Sequence, residues 1–300
     1  NAWVTLARSA WDKNDFPKEH EALRKIVEAI QSRSIIAPLT FANIYETTKI
    51  NDPIRRANIA RTQASISAGR VFRGRRRILG ETPNAFSAQR YSIPHPPPAE
   101  HWFLSDLWFE AATDYSPDLY GFDISQRALD LIRRDPPRAL FDYLLFNDEE
   151  TRLAAVRQFT ASSAELIAQL TTRRKKTAGE SFAMRKRAYG ARLIIDELNF
   201  ILAASRNLGL DWHDFDDLGS SVVRGIVSEV PILSVERELM VRLEDQPHKL
   251  NENDLRDMAS FTAALPLADI VIAEKRFVNL ARQARLDQNL GTQLMTSIFD

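Results

Sequence analysis

The stretch Ala268-Asp269-Ile270-Val271-Ile272-Ala273-Glu274 decides the fold expected for this chain. Its centre, Asp269 to Ala273, is a short apolar run, and Pro266 ends the helical pattern that precedes it. Short runs rich in β-branched residues and bounded by helix breakers or charges are typical of buried strands. Helical periodicity resumes from Phe277 to Arg285. We therefore predict a helix, a strand and a second helix in this part of the chain.

A second stretch near the beginning of the chain repeats this order. Glu21 to Ile30 carries apolar residues at helical spacing, and Ser34-Ile35-Ile36-Ala37-Pro38-Leu39 is another short apolar run. Thr40 is suited to cap the helix that follows. Alternation of helices and buried strands is typical of a parallel sheet covered by helices. We therefore predict an α/β fold in which residues 34–39 and 269–273 are parallel strands, adjacent or separated by at most one strand.

The middle of the chain has a different character. Ile93-Pro94-His95-Pro96-Pro97-Pro98 indicates a stiff extended linker, and strong helical periodicity follows around residues 152–170. Convincing strand patterns do not occur there. We therefore predict an α/β domain formed by residues 1–80 and 245–300, interrupted by a mainly helical insertion or lid at residues 81–244.

Composition excludes several classes of protein. The 300 residues are 44% hydrophobic and 27% charged, which is the balance of a soluble globular protein. An apolar run of about 20 residues, the length that spans a bilayer, is absent, so we expect no membrane partner. The lack of cysteine excludes thiol catalysis and Cys-ligated zinc and is compatible with the cytoplasm, where we expect the protein. Lys+Arg and Asp+Glu both number 40, so any attraction of a polyanion must be local.

Acidic side chains fall beside the ends of the two predicted strands. Glu46 lies in the helix after the first strand, Asp257 in the helix before the second, and Asp269 and Glu274 at the two ends of that second strand. Ligands of open parallel sheets gather at the carboxyl ends of the strands. Like charges within about 4 Å repel by roughly 4 kcal/mol at an effective dielectric near 20, so converging acids require a cation. Oxygen ligands favour Mg²⁺ or Mn²⁺. Each acid taken singly is more often a solvated surface charge.

The residues around these acids resemble the C-terminal half of a PIN-like nuclease domain. The resemblance is carried by Asn253-Asp254-Leu255-Arg256-Asp257-Met258-Ala259 and by residues 263–277. Together they place an acid in a helix of small residues, then a strand, then an acid followed by a basic residue and an aromatic. Residues 34–46 resemble the second strand and the Glu-bearing helix of the same family. The resemblance implies a three-layer α/β/α domain with a parallel sheet.

The same resemblance implies a catalytic role for the acids. Glu46, Asp257, Asp269 and Glu274 would be ligands of Mg²⁺ or Mn²⁺ in an enzyme that hydrolyses phosphodiester bonds, with RNA as the first expected substrate. Such an ion neutralises charge on the phosphate oxygens and lowers the pKa of a bound water. PIN-like domains carry a further acid at the end of their first strand, so we expect that strand and its Asp to lie just before Asn1. Glu274 stands where the family usually has Asp.

A basic run supports a polyanionic partner. Arg70-Val71-Phe72-Arg73-Gly74-Arg75-Arg76-Arg77 places five arginines within eight residues, with Phe72 available for stacking. Arginine binds phosphate bidentately and stacks on bases. We therefore predict that Arg70, Arg73, Arg75, Arg76 and Arg77 bind nucleic acid. A solvated charge run or a contact with an acidic partner is equally compatible with the pattern.

Three functions are compatible with the sequence. The first is a metal-dependent endoribonuclease, as in a toxin or defence effector, whose helical insertion restricts the substrate or binds a regulatory protein. The second is a non-catalytic RNA-binding or protein-interaction scaffold built on a PIN-like body, and the Asp expected before Asn1 separates it from the first. The third is an all-helical adaptor in which the predicted strands do not form.

Overall fold

Helices make up 69% of the residues that the structure describes and strands only 4%. The computed structural model describes residues 2–121, 123–246 and 249–299. The first eight helices are α1 (Ala2–Trp11), α2 (Pro17–Gln31), α3 (Phe41–Thr48), α4 (Pro53–Ser67), α5 (Arg75–Tyr91), α6 (Pro117–Tyr120), α7 (Gln126–Arg134) and α8 (Pro136–Phe146). The others are α9 (Glu149–Lys176), α10 (Phe182–Asn207), α11 (Phe215–Glu229), α12 (Pro231–Asp245), α13 (Glu252–Ala264), α14 (Lys275–Gln283) and α15 (Leu286–Leu290). The strands are β1 (Val71–Phe72), β2 (Leu104–Ser105), β3 (Ile270–Ile272) and β4 (Gln293–Met295).

The three-layer α/β/α fold predicted from the sequence is wrong. β1 pairs with β2 in antiparallel orientation, and β3 pairs with β4 in parallel, with Ile270 opposite Gln293. Within the described residues each sheet has two strands, so no extended parallel sheet separates two layers of helices. The strand predicted at residues 269–273 does form, as β3, but its partner is β4 rather than residues 34–39.

The failure of the first predicted strand has a physical reason. Of residues 34–39, only Leu39 pairs with a neighbouring segment, through a single parallel bridge to Val71. The side chains of Ile35 and Ile36 are 39% and 38% exposed, whereas Leu39 is fully buried. An apolar run forms a buried strand only where neighbouring strands cover it. Here the run lies at the surface and enters the interior only at its last residue.

Helix boundaries follow local signals in the sequence. The helix predicted at residues 21–30 forms as α2. Thr40 precedes α3, as expected, and its backbone N–H donates to Asn43 Oδ1 at 2.9 Å. Asp52 caps α4 by accepting hydrogen bonds from the backbone N–H groups of Ile54 and Arg55 at 2.9 and 3.0 Å. These side chains satisfy N–H groups that have no partner within the helix.

The main buried cluster brings the C-terminal elements against the long helices. It includes Tyr189 of α10, Leu239 of α12, Phe261 of α13, Val271 of β3 and Phe277 of α14. The rings of Phe261 and Phe277 lie 5.6 Å apart. Side chains from the predicted α/β domain and from the predicted insertion therefore share one core. The division into residues 1–80 with 245–300 and residues 81–244 stays a prediction.

Helix α13 lies at the centre of the region described below. It packs against α3, α5, α12 and α14, and β3 leads directly from its C-terminal side to the start of α14. Among the helices that the structure describes, none alone has the length and apolar character needed to cross a membrane. α11 and α12 have that length and apolar character only when taken together, and their axes are bent by 78° relative to each other.

Candidate functional site

Helix α13 presents Asp257, and a reciprocal cap fixes the start of this helix. Asn251 Oδ1 accepts hydrogen bonds from the backbone N–H groups of Asn253 and Asp254 at 2.8 and 3.2 Å. Asp254 Oδ2 in turn accepts from the backbone N–H of Asn251 at 3.0 Å. A cap of this kind sets where a helix begins. Asp257 consequently lies about one and a half helical turns after the well-defined start of α13.

Asp257 and Glu274 form a pair of interacting carboxylates. The pKa of Asp257 is raised to about 6, first by burial and second by the negative charge of Glu274. Arg256 and Arg276 act on it in the opposite direction. Glu274 is exposed and directly precedes α14, without a capping hydrogen bond from its side chain. Asp257 therefore changes its charge near neutral pH, beside a second carboxylate that is open to solvent.

Two further acids near this pair, Glu46 and Asp254, each form an ion pair with an arginine. Arg256 is buried, forms an ion pair with Glu46 of α3, and places Cζ 5.6 Å from the centre of the Tyr45 ring. Arg276 forms an ion pair with Asp254, whose side chain is almost fully buried. Glu46 and Asp254 thus each have a positively charged partner within the same chain.

The four acids predicted as metal ligands are only partly brought together. Asp257 and Glu274 interact through their charges. Glu46 forms an ion pair with Arg256, the residue before Asp257. Asp269 is exposed, and its backbone carbonyl accepts a hydrogen bond from β4 at 2.8 Å. Within the part of the chain that the structure describes, no group of three or more His, Asp or Glu is arranged to hold a metal ion.

Four of the five arginines predicted to bind nucleic acid are engaged in ion pairs within the protein. The pairs are Arg70 with Asp106 at 3.7 Å, Arg73 with Asp114 at 2.9 Å, Arg75 with Glu236 at 2.8 Å and Arg77 with Glu81 at 2.8 Å. Arg76 is exposed and has no ion pair with any residue that the structure describes. The basic run thus connects α5 to its surroundings, and among the described residues Arg76 is its one member without an internal ion pair.

A cavity of about 210 Å³ opens against α13, and neither Asp257 nor Glu274 lines it. Helix α13 lines it with residues between Met258 and Ala263, so the wall begins directly after Asp257. The side chains that give the cavity its chemistry are those of Thr40, Phe41, Phe72, Arg73, Arg75, Glu236 and Ser260. Gly74 allows a close approach here, because a Cβ at this residue would lie 2.2 Å from the carbonyl oxygen of Ala112.

Sequence reasoning missed two parts of this cavity. Glu236 lies inside α12 and belongs to no motif, so its neighbours in sequence carry no sign of its position. The small side chains of Ala259, Ser260 and Ala263 were a usable signal, because residues at this spacing share one face of a helix. A face of small residues on α13 indicates where another group can approach that helix closely.

Comparison with known proteins identifies no relative. No protein-family model matches the chain, and no curated protein or solved structure is significantly similar to it. The function must therefore be argued from the residues described above.

Proposed function

We propose that this protein is a metal-dependent nuclease that hydrolyses phosphodiester bonds, with RNA as the expected substrate and the cytoplasm as the expected location. The Asp257–Glu274 pair carries the proposal. A carboxylate whose pKa is raised by burial and by a neighbouring carboxylate is stabilised in its charged form by a cation. Mg²⁺ is commonly bound through one or two carboxylates, with waters and substrate phosphates completing its shell. The donor set of this pair therefore fits Mg²⁺ or Mn²⁺.

Asp257 and Glu274 would hold the ion, and the neighbouring residues support them. When bound, the ion supplies stabilisation of negative charge on the phosphate and acidifies a water. Asp257, with a pKa of about 6 in the absence of metal, is ionised at pH 7, as a metal ligand must be. Arg256 keeps the charge of Glu46 compensated, which limits the repulsion within the site. Arg76, exposed in the first turn of α5, is placed to contact a phosphate.

The decisive experiment compares Asp257→Asn with the natural protein. We expect RNA cleavage in Mg²⁺ or Mn²⁺ that stops when EDTA is added. Asp257→Asn should reduce cleavage by at least a factor of about 100 and leave RNA binding within about twofold, because it keeps the shape and removes the charge. Bound Mn²⁺, followed by electron paramagnetic resonance, should be lost in the same variant. Glu180→Gln, an exposed acid between α9 and α10, is the control.

Two results would refute the nuclease mechanism: cleavage that persists in EDTA, or cleavage undiminished in Asp257→Asn. Arg76→Ala tests the phosphate contact separately. It should weaken RNA binding and lower the salt dependence of log K by about one unit of slope, because one fewer counterion is released.

A non-catalytic scaffold is the second candidate, and the internal ion pairs favour it. Glu46 and Asp254 are each held by an arginine, and four arginines of the basic run are engaged with acids of the protein. In a scaffold these contacts would serve stability alone. A natural full-length protein that binds RNA or a protein partner, but neither binds Mn²⁺ nor cleaves, would establish this second function.

A further inference from the structure

The cavity beside α13 combines aromatic walls with polar side chains, among them Arg75 and Glu236. Phe72 is buried and Phe41 half-buried, and both line the cavity. Arg75 and Glu236 line it as well and are bound to each other. Nε and Nη2 of Arg75 lie 2.9 and 2.8 Å from the same oxygen, Oε2, of Glu236. Oε1 of Glu236 accepts no hydrogen bond from the residues that the structure describes.

This chemistry favours a planar, uncharged and polar ligand. Glu236 and Glu197 both pair with Arg75, so a simple anion meets no net positive charge at this side chain and gains little by entering. A free carboxylate oxygen next to a guanidinium presents an acceptor beside a donor. The edges of nucleobases carry donors and acceptors side by side, and their faces stack on aromatic rings.

We propose that this cavity receives a nucleobase of the substrate strand. Glu236 Oε1 accepts from an amino or ring N–H group of the base, Arg75 donates to a neighbouring ring acceptor, and Phe41 and Phe72 cover the faces. Ser260 lines the cavity three residues beyond Asp257, which is about 4.5 Å along the axis of α13. The phosphate of the same nucleotide is thereby brought to the acid pair. The inference rests on the proposed function in taking the ligand to be nucleic acid.

The test measures binding of the four ribonucleoside 5′-monophosphates by calorimetry in EDTA, so that neither metal nor cleavage is involved. The natural protein should bind at least one of them in preference to the others. Glu236→Gln should weaken that binding by roughly tenfold or more, because the acceptor of a base-reading contact is lost. Glu197→Gln is the matched control: Glu197 also binds Arg75 but does not line the cavity, so the change should stay below about twofold.

Two further variants separate base recognition from other effects. Phe41→Leu should weaken binding by a similar factor, because base stacking on an aromatic ring is lost. Asp257→Asn should bind the mononucleotides in EDTA at least as tightly as the natural protein, because it removes a negative charge near the phosphate. Thermal melting of every variant verifies that it is folded.

The inference is overturned if no mononucleotide binds at millimolar concentration, if Glu236→Gln binds as well as Glu197→Gln, or if ribose 5-phosphate binds as tightly as the nucleotides. Selective binding that depends on Glu236, in a protein that does not cleave RNA, supports the cavity assignment and removes the nuclease proposal. RNA cleavage by a protein whose nucleotide binding is unchanged in Glu236→Gln supports the nuclease proposal and removes the cavity assignment.

Discussion

Arg75 joins α5 to α12 by placing two guanidinium nitrogens within 2.9 Å of a single carboxylate oxygen of Glu236. Glu197 of α10 binds a third nitrogen of the same guanidinium. Burial opposes the charge of Arg75, yet Glu236 and Glu197 hold its pKa above the ordinary value. Three helices thus meet at one side chain of a run that looked, in sequence, like a nucleic-acid surface.

Replacing Arg75 should therefore cost more stability than replacing its neighbour. Arg75→Met leaves Glu236 and Glu197, both largely buried, without their partner, and we expect a loss of about 2 kcal/mol in the free energy of unfolding. Arg76→Met removes an exposed charge and should stay within about 0.5 kcal/mol. Urea denaturation of the two variants measures the difference, and equal stabilities would contradict the structural role of Arg75.

Asp257→Asn should stabilise the protein at neutral pH. Below the ordinary pKa of 3.8, Asp257 is protonated in both the folded and the unfolded states, so its burial costs nothing. As the pH rises from 3.8 to about 6, the unfolded state ionises while the folded state keeps its proton, so the natural protein loses up to about 3 kcal/mol. The difference in free energy of unfolding between the variant and the natural protein should therefore grow between pH 4 and 6 and stay constant above pH 6.

The measurement is urea denaturation of both proteins at several pH values. Asp269→Asn, which replaces an exposed acid, controls for the loss of one carboxylate. A difference for Asp257→Asn that is independent of pH would show that the raised pKa is absent.

Glu238→Gln should have the opposite dependence on pH. Burial favours the neutral form of Glu238, but hydrogen bonds from Lys186 and Arg242 outweigh it and hold the pKa below the ordinary 4.5. Arg237 adds a third cation at 2.9 Å. The stabilisation is thus complete above pH 4.5 and is lost as the pH falls through the folded value.

At pH 7 we expect Glu238→Gln to lower the free energy of unfolding by about 2 kcal/mol, because three partly buried cations lose their shared partner. The gap to the natural protein should narrow as the pH falls below 4.5. Glu180→Gln, at an exposed residue, controls for general effects of charge removal. A constant gap across this pH range would rule out the ion pairs as its cause.

Gly74→Ala should destabilise the protein although the backbone of Gly74 is not left-handed. Its φ is −61°, which alanine adopts freely, but the added Cβ would lie 2.2 Å from the carbonyl oxygen of Ala112. Since backbone must move to relieve this clash, we expect a loss of about 2–3 kcal/mol. Gly179→Ala meets nothing within 4 Å and should be neutral or slightly stabilising. Thermal melting of both variants distinguishes the two cases, and similar melting temperatures would show that Ala112 moves freely.

Helices were predictable from the sequence because their signals are local. The apolar spacing in residues 21–30 and the capping position of Thr40 both lie within a few residues of the helix they specify. The strand at 34–39 depended on distant segments. Ile35 and Ile36 are apolar, but no neighbouring strand covers them, and only Leu39 pairs with β1. Three-dimensional contacts that an apolar run does not encode therefore decided against the α/β fold.

The candidate site divides in the same way. The sequence by itself determined which acids and arginines are present and that Asp257 and Glu274 flank β3. Only the tertiary structure decided that Glu274 raises the pKa of Asp257, that Arg256 engages Glu46, and that Glu236 of α12 reaches the basic run. Arg75 and Arg76 show the reason most clearly. They are identical neighbours, but successive residues of a helix point about 100° apart, so one meets two carboxylates and the other meets solvent.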